Sequence, residues 1–186
     1  MELTFTALRH GSITLHRITE ANFEEVVTLF KGFPDSDEMI EELRESYRPE
    51  YDKEGRQILY SFYTTLNSEL AGISLLGIDS FDEARGYTGA DTLSHMRGKG
   101  VAPGSKPHLF FLGFQLLGLN RIETGCLVSN TASKRSIEKT PGFVYEGTLR
   151  EQQRNDEGDF EDVYFYAILK RDWENLYQPD GIEVVP

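Results

Sequence analysis

One stretch of this sequence has residue types and spacing suited to holding a phosphate: Arg97-Gly98-Lys99-Gly100-Val101-Ala102-Pro103-Gly104. Glycines let a backbone approach a ligand closely, and successive N–H groups ahead of a helix can hold phosphate oxygens. Arg97 and Lys99 would add positive charge there. The same residues also read as a glycine-rich turn with two solvated basic side chains. A third reading takes Gly98-x-Gly100-x-x-x-Gly104 as a dinucleotide loop, which needs repeated βα units around a parallel sheet. Elsewhere reactive residues are sparse. The single cysteine, Cys126, excludes an internal disulfide and a cysteine-rich zinc cage. In an alternating strand it reads as a small buried hydrophobe, since a nucleophilic thiol needs a base and an electropositive setting. His10, His16, His95 and His108 lack metal-ligand spacing, so no metal is expected.

The elements that must position this stretch can be read from periodicity. Ser12–Ile18 alternates apolar and polar residues, a first strand. Thr19 is placed as the N-cap of a helix bearing Phe23, Val26, Val27 and Phe30, with Ile18 and Phe23 as a hydrophobic staple. Asp35 and Glu38 have capping-box spacing for a second helix, striped by Met39, Ile40, Leu43 and Tyr47. Ile58–Thr65 and Leu70–Ile78 flank Asn67-Ser68 as a hairpin. Arg85–Leu93 is a further strand leading to the glycine stretch. Leu109–Leu119 is too long an apolar run for a strand and reads as a buried helix. A strand over 120–128, a short helix capped by Asn130 or Thr131, and strands over 143–149 and 162–169 complete the chain. The tail from Gln178 reads as loose. The order β-α-α-β-β-β-α-β-α-β-β implies an α+β fold: a mixed, mostly antiparallel seven-stranded sheet with helices on both faces.

The 186 residues suit one domain, 1–186, large enough to bury a core without a staple. Lys+Arg number 19 and Asp+Glu 31, a formal charge of −12. That balance disfavours nucleic acid and anionic membrane surfaces and favours a cationic partner. With no signal-peptide pattern, no long apolar run and one cysteine, a cytoplasmic home is expected.

Arg97-x-x-Gly100-x-Ala102 resembles the acyl-CoA motif of the GNAT superfamily of N-acetyltransferases, written Arg/Gln-x-x-Gly-x-Gly/Ala. The resemblance extends through Arg121-Ile-Glu-Thr124, Asn130-Thr-Ala-Ser133 and Pro141-Gly-Phe143. Tyr145–Glu151 and Asp162–Trp173 resemble the last strands of the branch that acetylates ribosomal-protein N-termini (RimJ/RimL-like). It covers roughly residues 85–173. It implies the GNAT acyl-CoA N-acyltransferase fold, in which two strands splay apart around acetyl-CoA. It also implies direct acetyl transfer to a primary amine, from a protein N-terminus or a small molecule. By that resemblance the backbone of Gly98, Lys99, Gly100, Val101 and Ala102 would hold the pyrophosphate, with Arg97 at the entry. Thr92 and Leu93 would contact the pantetheine arm, and Asn130 and Ser133 would lie near the pantetheine and thiol.

For such a transfer Ser133 matches a proton donor for the thiolate, and Asp91 or His95 could take the amine proton through water. Other readings stay open: Ser133 as a helix cap, Asp91 as a strand-end charge, His95 as a loop histidine. Tyr145, Tyr164 and Tyr166 could line an acceptor gap or belong to the core. Two features depart from the family pattern. Pro107 would push the helix start to near Ser105, shifting the phosphate-facing turn, and Thr140-Pro141 stands where one apolar residue is usual. The alternative function is a non-catalytic acyl-CoA-binding or interaction module of the same fold. The expected partner is an amine, a cationic peptide or a small polyamine. A homodimer is compatible with the sequence, which does not specify oligomeric state.

Overall fold

The structure, a computed structural model, describes residues 3–155, 157–177 and 181–186. Ten strands form one sheet: β1 (Ala7–His10), β2 (Ile13–Arg17), β3 (Glu50–Tyr51), β4 (Gln57–Leu66), β5 (Glu69–Ser80), β6 (Arg85–Thr92), β7 (Arg121–Leu127), β8 (Val144–Arg154), β9 (Phe160–Leu169) and β10 (Glu183–Val185). Their order is β10-β1-β2-β4-β5-β6-β7-β9-β8, with β3 beside β4. Every pairing is antiparallel except that of β6 with β7. Among the described residues there is therefore no doubly wound parallel sheet of the kind the dinucleotide loop requires.

The mixed α+β architecture is as expected; the strand count is ten rather than seven. The extra strands, β1, β3 and β10, are too short to show alternation. The expectation of a loose tail is corrected over its end. Leu8 pairs with Val184, and the Thr6 hydroxyl donates to the Pro186 carbonyl at 2.8 Å. This partnership joins opposite ends of the chain, so no local pattern reveals it. The start of that tail, 178–180, lies outside the described residues.

Helices α1 (Phe23–Leu29) and α2 (Ser36–Ser46) cover one face of the sheet, packing Phe23, Phe30 and Leu43 on Ile73 and Leu75. Two caps differ from expectation. Thr19 does not cap α1, because Asn22 folds back to accept the Thr19 amide at 2.8 Å and delays the helix to Phe23. Asp35 stands at the α2 start without capping it. Its carboxylate instead accepts from the Ser94 amide and hydroxyl at 2.7 and 3.1 Å.

The opposite face carries α3 (Val101–Phe110), continued by a π-helical turn over Phe111–Leu116, and α5 (Lys170–Leu176), which the sequence reading did not place. α3 begins directly after Gly100, not near Ser105. Pro107 lies inside it, removing one hydrogen bond at a cost of about 3 kcal/mol. Leu109, Phe110, Leu112 and Phe114 are all fully buried just beyond. At about 1.5–3 kcal/mol each, their burial outweighs that one defect.

β6 pairs with β5 along its whole length, from Arg85↔Ser80 to Thr92↔Gly72. With β7 it pairs only at Arg85↔Arg121, Gly86↔Ile122 and Tyr87↔Glu123. β7 then follows β9 as far as Leu127↔Val163. The edge of β6 from Thr88 to Thr92 is left open, and the two strands splay apart.

Candidate active site

A cleft of about 660 Å³ opens at this splay. One wall is α2, with Asp35, Glu38, Met39 and Glu42. Its floor is the open end of β6, Ala90–Thr92, and its far wall is the glycine stretch with the start of α4 (Thr131–Glu138).

The glycine stretch is held in a geometry that exposes amides. Gly98 and Gly100 have φ of 78° and 82°, in the left-handed region, and an added Cβ at either would meet nothing within 4 Å. The Lys99 amide donates to the Met96 carbonyl. Among the described residues, the amides of Gly98, Gly100, Val101 and Ala102 are paired with no backbone acceptor. Val101 and Ala102 are in the first turn of α3, where a helix leaves its N–H groups unpaired. The helix dipole adds positive potential at that end. Pro103, in the same turn, has no N–H, so it breaks no helical hydrogen bond and adds no donor to this cradle. Arg97 crosses beside it, its Nε donating to the Thr92 carbonyl at 3.3 Å.

The walls carry opposite charge. Arg97, Arg135 and Lys139 line the side of the glycine stretch and α4; Asp35, Glu38, Glu42 and Asp91 line the side of α2 and β6. Asp91 is fixed by Tyr47 at the end of α2, whose hydroxyl donates to Asp91 Oδ2 at 2.8 Å. Burial, and next the Asp91 charge, hold the Tyr47 hydroxyl well above its ordinary pKa, so it stays a donor. Asn130 caps α4, its Oδ1 accepting the Ser133 amide at 2.9 Å. This leaves the Ser133 hydroxyl free of the capping role considered for it.

The cleft therefore gathers Asp91, Thr92, Arg97, Gly98, Gly100, Val101, Ala102, Asn130 and Ser133. It does not gather three other candidates. Leu93 is fully buried in the core beneath α1 and α2. Lys99 turns its Nζ to the Met96 sulfur at 3.4 Å. His95 stacks on Phe33 at 5.2 Å between ring centroids and faces Glu69, away from the cleft. None of Tyr145, Tyr164 and Tyr166 lines the cleft. Cys126 is buried, and burial pushes its thiol pKa up, as suits a packing residue. Tyr47 was read from sequence as an apolar stripe residue. A tyrosine ending that stripe was the available signal for its polar role.

The sheet with one parallel junction, its splay and the free amides beside it make the fold recognisable. The chain has the fold of the GNAT acetyltransferases. A solved spermidine N-acetyltransferase from Vibrio cholerae, in complex with CoA and spermine, superposes with a TM-score of 0.64 at 19% identity, covering 88% of this chain and 99% of that one. In sequence the chain is 30% identical over 120 residues to an uncharacterized N-acetyltransferase, p20, of Bacillus licheniformis, covering 64% of this chain and 66% of that one. It is also 30% identical over 102 residues to YdaF of Bacillus subtilis strain 168, which carries a provisional ribosomal N-acetyltransferase name; 55% of this chain and 54% of that one are covered. The matches thus span just under two thirds and about half of these relatives' lengths. No protein-family model matches the sequence.

Proposed function

We propose that this protein transfers the acetyl group of acetyl-CoA to a cationic primary amine by direct attack in a ternary complex. The observation that carries this is the row of unpaired amides at Gly98, Gly100, Val101 and Ala102, beside the open edge of β6. A diphosphate fits that row, since it offers acceptors to amides in a positive helix-end field. Arg97, Arg135 and Lys139 add charge for the remaining phosphate. The pantetheine arm can hydrogen-bond along the free edge of β6. The coenzyme supplies an acyl group already activated as a thioester.

The acceptor approaches from the other wall. Glu38 and Glu42 lie one helical turn apart on the cleft side of α2, where they attract and orient an ammonium. An amine attacks only when neutral, so a proton must leave it. Asp91 is the carboxylate at the junction of the two walls, and it takes that proton directly or through water. Tyr47 keeps it aimed. The nitrogen–carbon bond forms, Asp91, having passed the first proton to solvent, accepts the second that the nitrogen sheds, the carbon–sulfur bond breaks, and Ser133 donates a proton to the thiolate, regaining one from solvent. The relatives support a cationic acceptor: one binds spermine, and another is named for ribosomal acetylation. Pro103 and Pro107, whose place at the head of the motif helix is the feature favouring a non-catalytic alternative, both lie inside α3 without shifting its start from Val101.

The test couples calorimetry with acetyl-CoA to thiol release across a panel of amines: spermidine, spermine, and basic peptides with free or blocked N-termini. Binding of acetyl-CoA and turnover with cationic amines, weakening as salt rises, is the expected result. A folded protein that binds no acetyl-CoA would overturn the proposal.

A further inference from the structure

α3 carries a second buried ionisable group that the reading above leaves idle. Lys106 is 5% exposed, and its Nζ donates to the Thr88 hydroxyl at 3.1 Å. The charge acting on it is Asp91, which lies on the opposite face of β6. An ammonium has three N–H donors to satisfy. Burying it beside a neutral hydroxyl is far costlier than burying a methionine of similar volume. Burial accordingly pulls its pKa down to about 8. Groups held against such a cost gather at functional sites.

The surroundings of Lys106 supply a reason for it. Thr88 is the first residue of β6 beyond the last β6–β7 pair, Tyr87↔Glu123. Thr124, its counterpart on β7, donates its hydroxyl to the Thr88 carbonyl at 3.1 Å. Lys106, Thr88 and Thr124 therefore make a polar floor where the splay closes. That floor is two strand residues, roughly 7 Å, below Ala90 on the cleft. It faces α3, the side of the phosphate cradle, whereas Asp91 and Tyr47 face α2, the side of the acidic wall. A reacting carbonyl between a donor from one side and an acceptor from the other would sit at this floor.

We propose that Lys106 is a catalytic residue of this site, its ammonium being the cation that the transferring acyl carbonyl meets at the closed end of the splay. The proposal rests on the acyl-transfer reading. As the amine nitrogen bonds to the acyl carbon, the carbonyl π pair moves onto oxygen, and that charge lies against Nζ. The pair returns as the carbon–sulfur bond breaks. The amine proton goes to Asp91 and the thiolate takes its proton from Ser133, so Lys106 keeps its own throughout. Asp91, across β6 and held by Tyr47, is the charged group whose field reaches Lys106; Thr88 and Thr124 do not titrate.

Lys106→Met keeps the volume and removes the charge. The expected result is a kcat about 100-fold lower, an acetyl-CoA Kd within about twofold of wild type, and loss of the fall in kcat above pH 8. Lys106→Gln, which restores a neutral donor, should recover part of the rate. Wild-type protein supplies a readout independent of turnover. The Lys106 Nζ resonance should move when acetyl-CoA binds and stay near its free position with CoA lacking the acetyl group. Full activity in Lys106→Met, or an Nζ resonance unmoved by acetyl-CoA that calorimetry shows to be bound, would overturn the assignment. A calorimetric blank would overturn the acyl-transfer reading itself, and this proposal with it.

Discussion

The two halves of α3 bury their polar side chains in different company. Its first half, Val101–Lys106, ends at the splay, where unpaired amides, Lys106, Thr88 and Asp91 come close together. Its second half, with the π-helical turn, enters a core of Phe110, Phe114, Trp173 and Ile168. There His108 is fully buried, neither ring nitrogen hydrogen-bonded among the described residues, and the His10 ring lies 6.1 Å away, edge to face. Burial is the common term; what differs is what each group faces. Lys106 lies just below the end of a cleft lined with ionisable groups, whereas His108 lies beside the apolar core and the His10 ring. The comparison teaches that burial of an ionisable group does not by itself mark a site, and that the place where two strands part does.

The largest effect expected is at the open end. Asp91→Asn keeps the shape and the Tyr47 contact but cannot accept the proton. We expect kcat to fall by about 10²–10⁴-fold with acetyl-CoA affinity unchanged, checked by steady-state kinetics beside calorimetry. Unaltered turnover would remove Asp91 from the mechanism.

The closed end should show its character in acid. Burial holds the His108 pKa at about 4, against about 6.5 in the unfolded chain. The unfolded state therefore binds the extra proton first. Stability is fully present above pH 6.5 and declines toward pH 4, by up to about 3 kcal/mol from this residue. Urea unfolding across that range should show the decline in wild type and a smaller one in His108→Leu.

Lys106 should respond in the same sense but in a higher pH window. Its pKa of about 8 lies below the unfolded value of about 10.4, so its charge opposes folding most fully below pH 8. Lys106→Met should raise stability by about 1–3 kcal/mol at pH 7. The gain should shrink as pH climbs from 8 through 10.4. A destabilised Lys106→Met would mean that its hydrogen bond to Thr88 outweighs the cost of its charge.

The smallest effects belong to the exposed charges of the cleft. Arg135→Ala and Lys139→Ala should each weaken acetyl-CoA by about 1 kcal/mol or less at low salt, with the difference fading as ionic strength rises. Calorimetry at two salt concentrations measures this.

Much of this arrangement was legible in the sequence, because its signals are local. The β4–β5 hairpin announced itself by alternation around Asn67-Ser68, and both residues indeed hold positive φ, 51° and 69°. Gly98 and Gly100 marked the bend ahead of α3, and both hold left-handed backbone angles that favour glycine. The misses are non-local. β10 pairs with β1 across the whole chain, and Asp35 reaches Ser94 rather than its own helix. Pro107 misled for another reason: a local rule predicted a break that the burial of four large side chains overrides. Lys106 and Tyr47 looked like ordinary helix residues, since nothing in a one-dimensional pattern says which side chains meet at the end of an incomplete strand pairing.

The central claim is that the bend at Gly98–Ala102 holds the diphosphate of acetyl-CoA. A side chain at Gly100 would meet no protein atom within 4 Å, so Gly100→Val adds bulk only where a ligand would lie, besides about 1–2 kcal/mol of left-handed strain. Calorimetric titration of acetyl-CoA into wild type and Gly100→Val, each shown folded by circular dichroism, tests the claim most directly. The account predicts saturable binding in wild type and at least a tenfold loss in the variant. Absence of binding to the wild type, or equal binding by both, would contradict it.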